Sequence, residues 1–574
     1  MIIKYKYFMK KNLIALCSFL LAYNVFGCTN FLFTRGATQD GSTMITYAAD
    51  SHCLYGELYH WPAKDWPKGA MLDIYEWDTG KFLGKIPQVP HTYNVVGNMN
   101  ENQVAIGETT YGGLEMLWSQ KGAIMDYGSL IYVALQRATS ARDAIKIIAD
   151  LMETHGYCSE GESFSISDKD EVWIMEIIGK GEGEKGAVWV ARMIPDGYIS
   201  GHANQARITT FPQEGNKSAI SSTHLQDIYN KGVTTAYHKD VITFARKKNL
   251  YKGADKDFSF SDVYNPVTFG GARGCEARVW AGFMKANKEA VAQYEDYARG
   301  ENLTHRMPLW IKPDRKLSLF DVYDMMRDHY EGTSMDMTKD LGAGPYACPY
   351  RWRPMNWNFD GKEYIHERAT STQQTGFSFV AQSRNWLPDE IGAILWFGVD
   401  DTYETCYMPM YASLTEIPEN IRVGNGSMLK YSPTSMFWLF NKVSNYVYTR
   451  FSDMIIDLQK VQRRLEKQFI GNVMENDENF AEMMKKNPDK LQNALNEYAA
   501  KVSKTTFDEW ESLYEYLLVK YVDGNVKYEK NGKFETNGYD ERQPKFPKQP
   551  EYPEAWYKMI VNDWGDNIRV PEEK

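Results

Sequence analysis

Cys28 follows a hydrophobic leader and a single glycine, in the stretch LLAYNVFGCTNFLFTRGATQDGSTMITYAAD that runs from Leu20 to Asp50. A thiol there has three chemistries open to it: burial as a core residue, lipid attachment, or nucleophilic attack. Amide hydrolysis needs a nucleophile and a base to accept its proton, and a thiol with a pKa near about 8.5 is only a minority thiolate at neutral pH. Cleavage after Gly27 changes that. It turns the nitrogen of Cys28 from a non-basic amide into an α-amine with a pKa of roughly 7.7–8.0, on the same residue as the sulfur. The amine can take the thiol proton directly or through one water, then return it to the leaving amine.

Lys4, Lys6, Lys10 and Lys11 precede the apolar run NLIALCSFLLAYNVF, and Val25 and Gly27 supply small residues before the junction, so residues 1–27 read as a signal peptide. The expectation is an exported protein, periplasmic or secreted. The apolar run is too short for a comfortable membrane span, which predicts no stable membrane insertion. The tetrapeptide VFGC loosely resembles a lipobox, and lipidation would block both the amine and the sulfur. A lipid-anchored binding protein is therefore the alternative from another class.

The elements that must hold Cys28 are strands. TNFLFTRG and STMITYAAD flank TQDG, where Asp40-Gly41 signals a tight turn, so an antiparallel partner brings Asp50 back beside the start of the first strand. NQVAIGETTY reads as another strand. SFSISDKDEVWIMEIIG reads as a hairpin turning at Asp168–Glu171, and GKGEGEKG (179–186) as a charged hairpin tip rather than a phosphate loop. Ser129–Met152 is helical, with Ser140 placed to cap a break. From Asn441 to Ile470 the chain turns strongly helical, with further helices expected in residues 478–503 and 505–521. Pro544, Pro547, Pro550 and Pro553 predict an extended strap over the body. The order, strands first and helices last, is α+β.

Composition narrows the partners. The 574 residues are 43% hydrophobic and 24% charged, the balance of a soluble globular protein, with a formal charge of -10 and no Lys/Arg block, which argues against nucleic acid. Seven cysteines, one of them Cys17 in the leader, are too few for a disulfide scaffold in so long a chain. The ten histidines form no H-E-x-x-H and the cysteines no C-x-x-C, so neither metal nor cofactor is expected. Glu331, Asp400 and Asp401 read as structural hydrogen bonders, and Asn204 beside Gly201 fits a left-handed turn as readily as a site.

Taken with NVVGNMNENQVAIGETT, ISDKDEVWIMEI, ISGHANQARI, MMRDHYEGT and the long stretch from HERATSTQQTG to CYMPMY, the segment CTNFLFTRGATQDGSTMITYAAD resembles the peptidase family C69 dipeptidases. These are cysteine members of the N-terminal nucleophile (Ntn) hydrolases, related to bile-salt hydrolases and penicillin V acylases. The resemblance spans residues 28 to about 470. It implies a four-layer αββα sandwich over residues 28–430, with residues 431–574 as a helical C-terminal extension and Pro-rich tail packed on the body. It also implies Cys28 as nucleophile, Asp50 as the aspartate orienting its amine, Asn204 as an oxyanion donor and Arg278 as a catalytic-site arginine. The related acylases carry an arginine three residues before the aspartate; here Tyr47 stands there. Thr109 aligns with their second oxyanion position.

The function so implied is a cysteine-type dipeptidase working through a thioester on Cys28, with an Ntn amidase for N-acyl amides of the penicillin V or bile-salt type as the alternative. Selectivity for dipeptides requires a pocket that closes just beyond the substrate's α-amine, where a buried carboxylate would reward a free amine. Spacing alone does not locate that carboxylate.

Overall fold

The computed structural model of the protein describes residues 27–352 and 355–572. Of the leader assigned to residues 1–27, all but Gly27 therefore lies outside the described residues.

Ten strands carry the body: β1 (Asn30–Phe33), β2 (Thr43–Asp50), β3 (Ala105–Gly112), β4 (Gly161–Ser167), β5 (Val172–Gly179), β6 (Ala187–Met193), β7 (Ile199–His202), β8 (Thr375–Ser383), β9 (Ala393–Val399) and β10 (Met408–Tyr411). The Asp40-Gly41 turn forms as its chemistry dictates. Asp40 accepts hydrogen bonds from the Ser42 amide at 3.0 Å and the Ser42 hydroxyl at 2.7 Å, and Gly41 takes φ +79°. β1 then pairs antiparallel with β2, Leu32 opposite Ile45. β4 and β5 form the expected hairpin, with Asp168 bonding the Asp170 and Glu171 amides across the turn.

One seven-stranded sheet runs Trp310–Ile311, β7, β1, β2, β8, β9, β10. A nine-stranded sheet has β6, β5, β4 and β3 at its centre. β2 packs across β3 and β4, so the two sheets face each other, and every residue of β2, β4 and β5 is buried. β5 (VWIMEIIG), covered on both faces, is apolar at nearly every position, whereas β4 (GESFSIS) keeps its alternation although it is equally buried.

Helices α1 (Tyr127–Leu135) and α2 (Ala141–His155) cover the outer face of the nine-stranded sheet. Ser140 caps α2 by accepting from the Asp143 amide, as the sequence suggests. On the other sheet, α3 (Ala277–Ala286) approaches β1 so closely that a Cβ at Gly282 would collide with the Phe31 ring. α4 (Leu319–Met326) packs on α3.

The helical C-terminal region begins with α5 (Met436–Val447), α6 (Phe451–Lys486) and α7 (Pro488–Tyr521), and these helices pack on β9 and β10. The boundary between the last two differs from the sequence reading. The helix breaks at Asn487, where the following proline excludes the α conformation, and then runs unbroken through Ser503–Thr505. The proline-rich tail pairs at Pro544 with Thr536 and at Lys548 with Val526, and reaches the body through Tyr552 against Tyr346, with ring centroids 6.0 Å apart. Asp401 accepts from the Tyr350 hydroxyl at 2.7 Å and Asp400 from the Ser444 hydroxyl at 2.6 Å, the structural roles expected of them.

Candidate active site

Cys28 stands just ahead of β1, buried, beside the end of β2. The Gly27 amide donates to the Asp50 carbonyl at 3.1 Å, and Thr29 bridges to Ala48. At the same point the β2–β8 register slips, Ala49 opposite Phe377 but Asp50 opposite Thr375, so Gly376 is the extra residue of a bulge. Bulges re-aim side chains and free backbone groups. Here the Asp50 carboxylate accepts from the Thr375 hydroxyl at 2.6 Å and from Arg368 at 2.5 Å, and the Asp50 amide faces the sulfur.

Arg278 binds these parts together. A π-turn over Ala272–Glu276 leads into α3, and the Gly274 carbonyl accepts from the Arg278 Nε at 3.0 Å, fixing the guanidinium. That group donates to the Cys28 carbonyl at 2.7 Å, the Gly27 carbonyl at 3.2 Å, the Thr29 hydroxyl at 2.9 Å and the Asn204 Oδ1 at 2.8 Å. Asn204 sits at φ +57°, and its Nδ2 donates to the Thr110 carbonyl at 2.6 Å. An amide nitrogen carries two N–H groups, so one remains for a further acceptor. The structure thus gathers Cys28, Asp50, Asn204 and Arg278 into one hydrogen-bonded cluster. Thr109 is not part of it: its hydroxyl is bonded to His202 Nδ1 at 2.7 Å, while its strand neighbours Glu108 and Thr110 line the cleft beside Cys28.

Since Arg278 is fully buried, its loss strands several acceptors at once. Arg278→Leu is expected to cost on the order of 3 kcal/mol, from about 1–3 kcal/mol per unpaired buried group. Urea unfolding of variant and parent checks this. Arg278→Lys should not restore it, because one ammonium cannot span the fork of a guanidinium.

Three residues around Cys28 carry no role that the sequence assigns. Cys28 Sγ lies 3.6 Å from Glu108 Oε1 and 3.7 Å from the Tyr47 hydroxyl, and that hydroxyl donates to Glu108 at 2.5 Å. Position 47 thus contributes a phenol, while the guanidinium beside Asp50 comes from Arg368, which also donates to the Gly27 carbonyl. Burial, then the negative charges of Glu108 and Asp50, push the Cys28 thiol well up, against smaller opposing hydrogen bonds from the Asp50 amide and Tyr47. With its nitrogen tied to Gly27, Cys28 is therefore a neutral thiol. Burial likewise raises Asp50, with Arg368 as the main opposing influence. Burial pushes Glu108 up to about 7.

The sulfur opens on a cleft of about 670 Å³, within the range of small-molecule sites. Its walls are aromatic (Tyr47, Tyr59, Trp77, Trp118, Tyr127, Tyr132, Phe377) and acidic (Asp50, Glu76, Asp78, Glu108, Glu160, Glu162), with no lysine, arginine or histidine among the described residues that line it. Among the described residues the six cysteines are all free thiols. One group of three potential metal ligands occurs among them, Asp340, His366 and Glu367, but both carboxylates are already engaged, by Arg351 and Arg273 respectively. No helix among the described residues is long and apolar enough to cross a membrane.

The model of peptidase family C69 matches residues 55–464. Cys28 and Asp50 lie ahead of the matched residues. A "Probable dipeptidase" of Latilactobacillus sakei is 23% identical over 457 residues, covering 75% of this chain and 84% of its own. A "Probable dipeptidase" of Salmonella dublin is 24% identical over 428 residues, covering 71% and 86%. A "Probable dipeptidase B" of Streptococcus pyogenes serotype M1 is 21% identical over 544 residues, covering 90% and 98%. A match covering 90% of this chain must run past residue 470, so similarity extends into the C-terminal helices, further than the quoted motifs reach.

Proposed function

The chain belongs to peptidase family C69 and is a peptide hydrolase, and from that premise we propose that it is an exported cysteine dipeptidase of the Ntn type, with Cys28 as both nucleophile and base. The facing sheets with helices on their outer sides support reading the body as the αββα sandwich of that class. The observation that carries the proposal is the placement of Cys28: a thiol at the edge of an acidic cleft, on the residue that cleavage after Gly27 would make N-terminal.

In the proposed reaction the Cys28 amine accepts the thiol proton and the sulfur attacks the scissile carbonyl carbon. The remaining Asn204 N–H and a backbone N–H hold the tetrahedral oxygen. Arg278 keeps Asn204 and the Cys28 carbonyl in register, and Asp50, fixed by Arg368 and Thr375, fixes the end of β2 beside the new amine. The Cys28 ammonium gives its proton to the departing amine as the C–N bond breaks, leaving a thioester. Water adds to that thioester, and the carboxylic acid leaves as the thiol is restored.

The acidic cleft disfavours the amidase alternative, since penicillin V and conjugated bile acids are anions and no cation lines the walls. The buried sulfur disfavours a lipid anchor, because an acyl glycerol there would have to thread out through the cleft. The deciding experiment uses chain beginning at Cys28. Turnover of alanyl-alanine well above that of phenoxyacetyl-amino acids is expected; the reverse order overturns the dipeptidase assignment.

A further inference from the structure

The walls around Cys28 contain a pair of carboxyl groups that the reaction itself does not use. Glu108 on β3 and Glu162 on β4 are both fully buried and both line the cleft. Each has one oxygen bonded: Glu108 Oε1 accepts from Tyr47 at 2.5 Å, and Glu162 Oε1 accepts from the Thr110 hydroxyl at 2.7 Å. The other oxygen of each, Oε2, is buried with no hydrogen-bond donor from the protein. Buried polar atoms are nearly always satisfied, and here the two carboxyls can satisfy each other across a shared proton, which a cation entering the cleft can displace.

The position specifies which cation. In a dipeptide the α-nitrogen and the scissile carbonyl carbon of the same residue are two bonds apart, about 2.5 Å. A sulfur poised to attack stands about 3–3.5 Å from that carbon. The amine therefore lies within roughly 6 Å of the sulfur, and Glu108 Oε1 is 3.6 Å from it. Resting on the dipeptidase reading, we infer that Glu108, with Glu162 behind it, is the receptor for the substrate's free α-ammonium and so decides that this enzyme cuts only after the first residue of a peptide. An ammonium offers three N–H donors, and the pair offers open oxygens in a wall without competing cations. An N-acylated or internal residue would bring a neutral amide and leave a buried carboxylate unpaired.

The groups facing this pair are Cys28 ahead of β1, Tyr47 and Asp50 on β2, Thr110 on β3, Tyr127 on α1, and Asp78 and Glu160 from the adjoining loops. None is a cation. Without substrate, burial raises both carboxyls, and the hydrogen bond between them lowers Glu108 while raising Glu162, so the pair holds a proton. The incoming ammonium replaces that proton. Acidification below about 7 should therefore weaken capture of free-amine substrates in addition to the loss that every substrate suffers as the Cys28 amine is protonated.

The test compares kcat/KM for alanyl-alanine and N-acetyl-alanyl-alanine, in enzyme beginning at Cys28. The parent should prefer the free amine by about 10⁴-fold. Glu108→Gln should cut that preference at least about 100-fold through a raised KM for alanyl-alanine, and should make the preference independent of pH on the acid side. Both substrates use the same sulfur, so any change in the thiol cancels in the ratio. Glu162→Gln, which does not touch the sulfur, should lower the preference in the same direction, and it carries the test if Glu108→Gln does not fold. A preference unchanged in these variants overturns the inference. Parent enzyme that cleaves neither substrate would instead overturn the dipeptidase reading beneath it.

Discussion

Cys28→Ser, in a chain that begins at residue 28, is expected to lower kcat on dipeptides at least about 10³-fold while leaving the thermal midpoint within about 2 °C of the parent. The substitution exchanges one atom at a buried position, so packing around β1 and β2 is nearly unchanged. The chemistry is not. A thiol can be drawn to its anion by an amine of similar pKa, whereas a hydroxyl gives far less anion at neutral pH, and the Glu108 and Asp50 carboxyls beside it oppose further negative charge. Steady-state turnover together with a melting curve checks both halves. A serine variant running at the parent rate would place the nucleophile elsewhere.

The second large effect concerns the residue before it. A chain that begins Gly27-Cys28 should fold as the parent does and show less than about 1% of the activity of a chain beginning at Cys28. Three observations set that expectation. The nitrogen of Cys28 is then an amide and cannot accept a proton. The thiol is held neutral by burial and by its acidic neighbours. Gly27 itself fills the space beside the sulfur, its amide on Asp50 and its carbonyl held by Arg278 and Arg368. Intact mass and activity measured on the two separately prepared chains decide it, and equal rates would remove the amine from the mechanism.

How much of this could be read from residues alone follows the distance along the chain between partners. Cys28 and Asp50 are joined by one tight turn, and local turn chemistry brings them together. Asn204 and Arg278 carry no local signal of their own; only the resemblance to a family singled them out, and the arginine's many acceptors became visible with α3 laid against β1. Arg368 finds Asp50 from 318 positions away, out of an irregular stretch with no periodicity to read. In the sequence Tyr47 stands out for the arginine it replaces, and the hydrogen bond it donates to Glu108 has no local signal. Glu108 and Glu162 are carboxylates inside apolar strands, where spacing cannot tell a ligand from a satisfied core residue. In the C-terminal region helix content was legible from apolar spacing, but the break was set by Asn487-Pro488 rather than by the polar Ser503–Thr505 stretch.

Gly27 and Cys28 are both enclosed in the folded protein, so the bond that joins them is out of reach of any enzyme that needs an extended chain. In the proposed processing, a leader peptidase has to act before β1 docks against its neighbours. Trimming and folding are then in a race. A chain that folds too early seals its own junction inside and stays permanently switched off, and slowing the closure of the first hairpin should raise the yield of active enzyme.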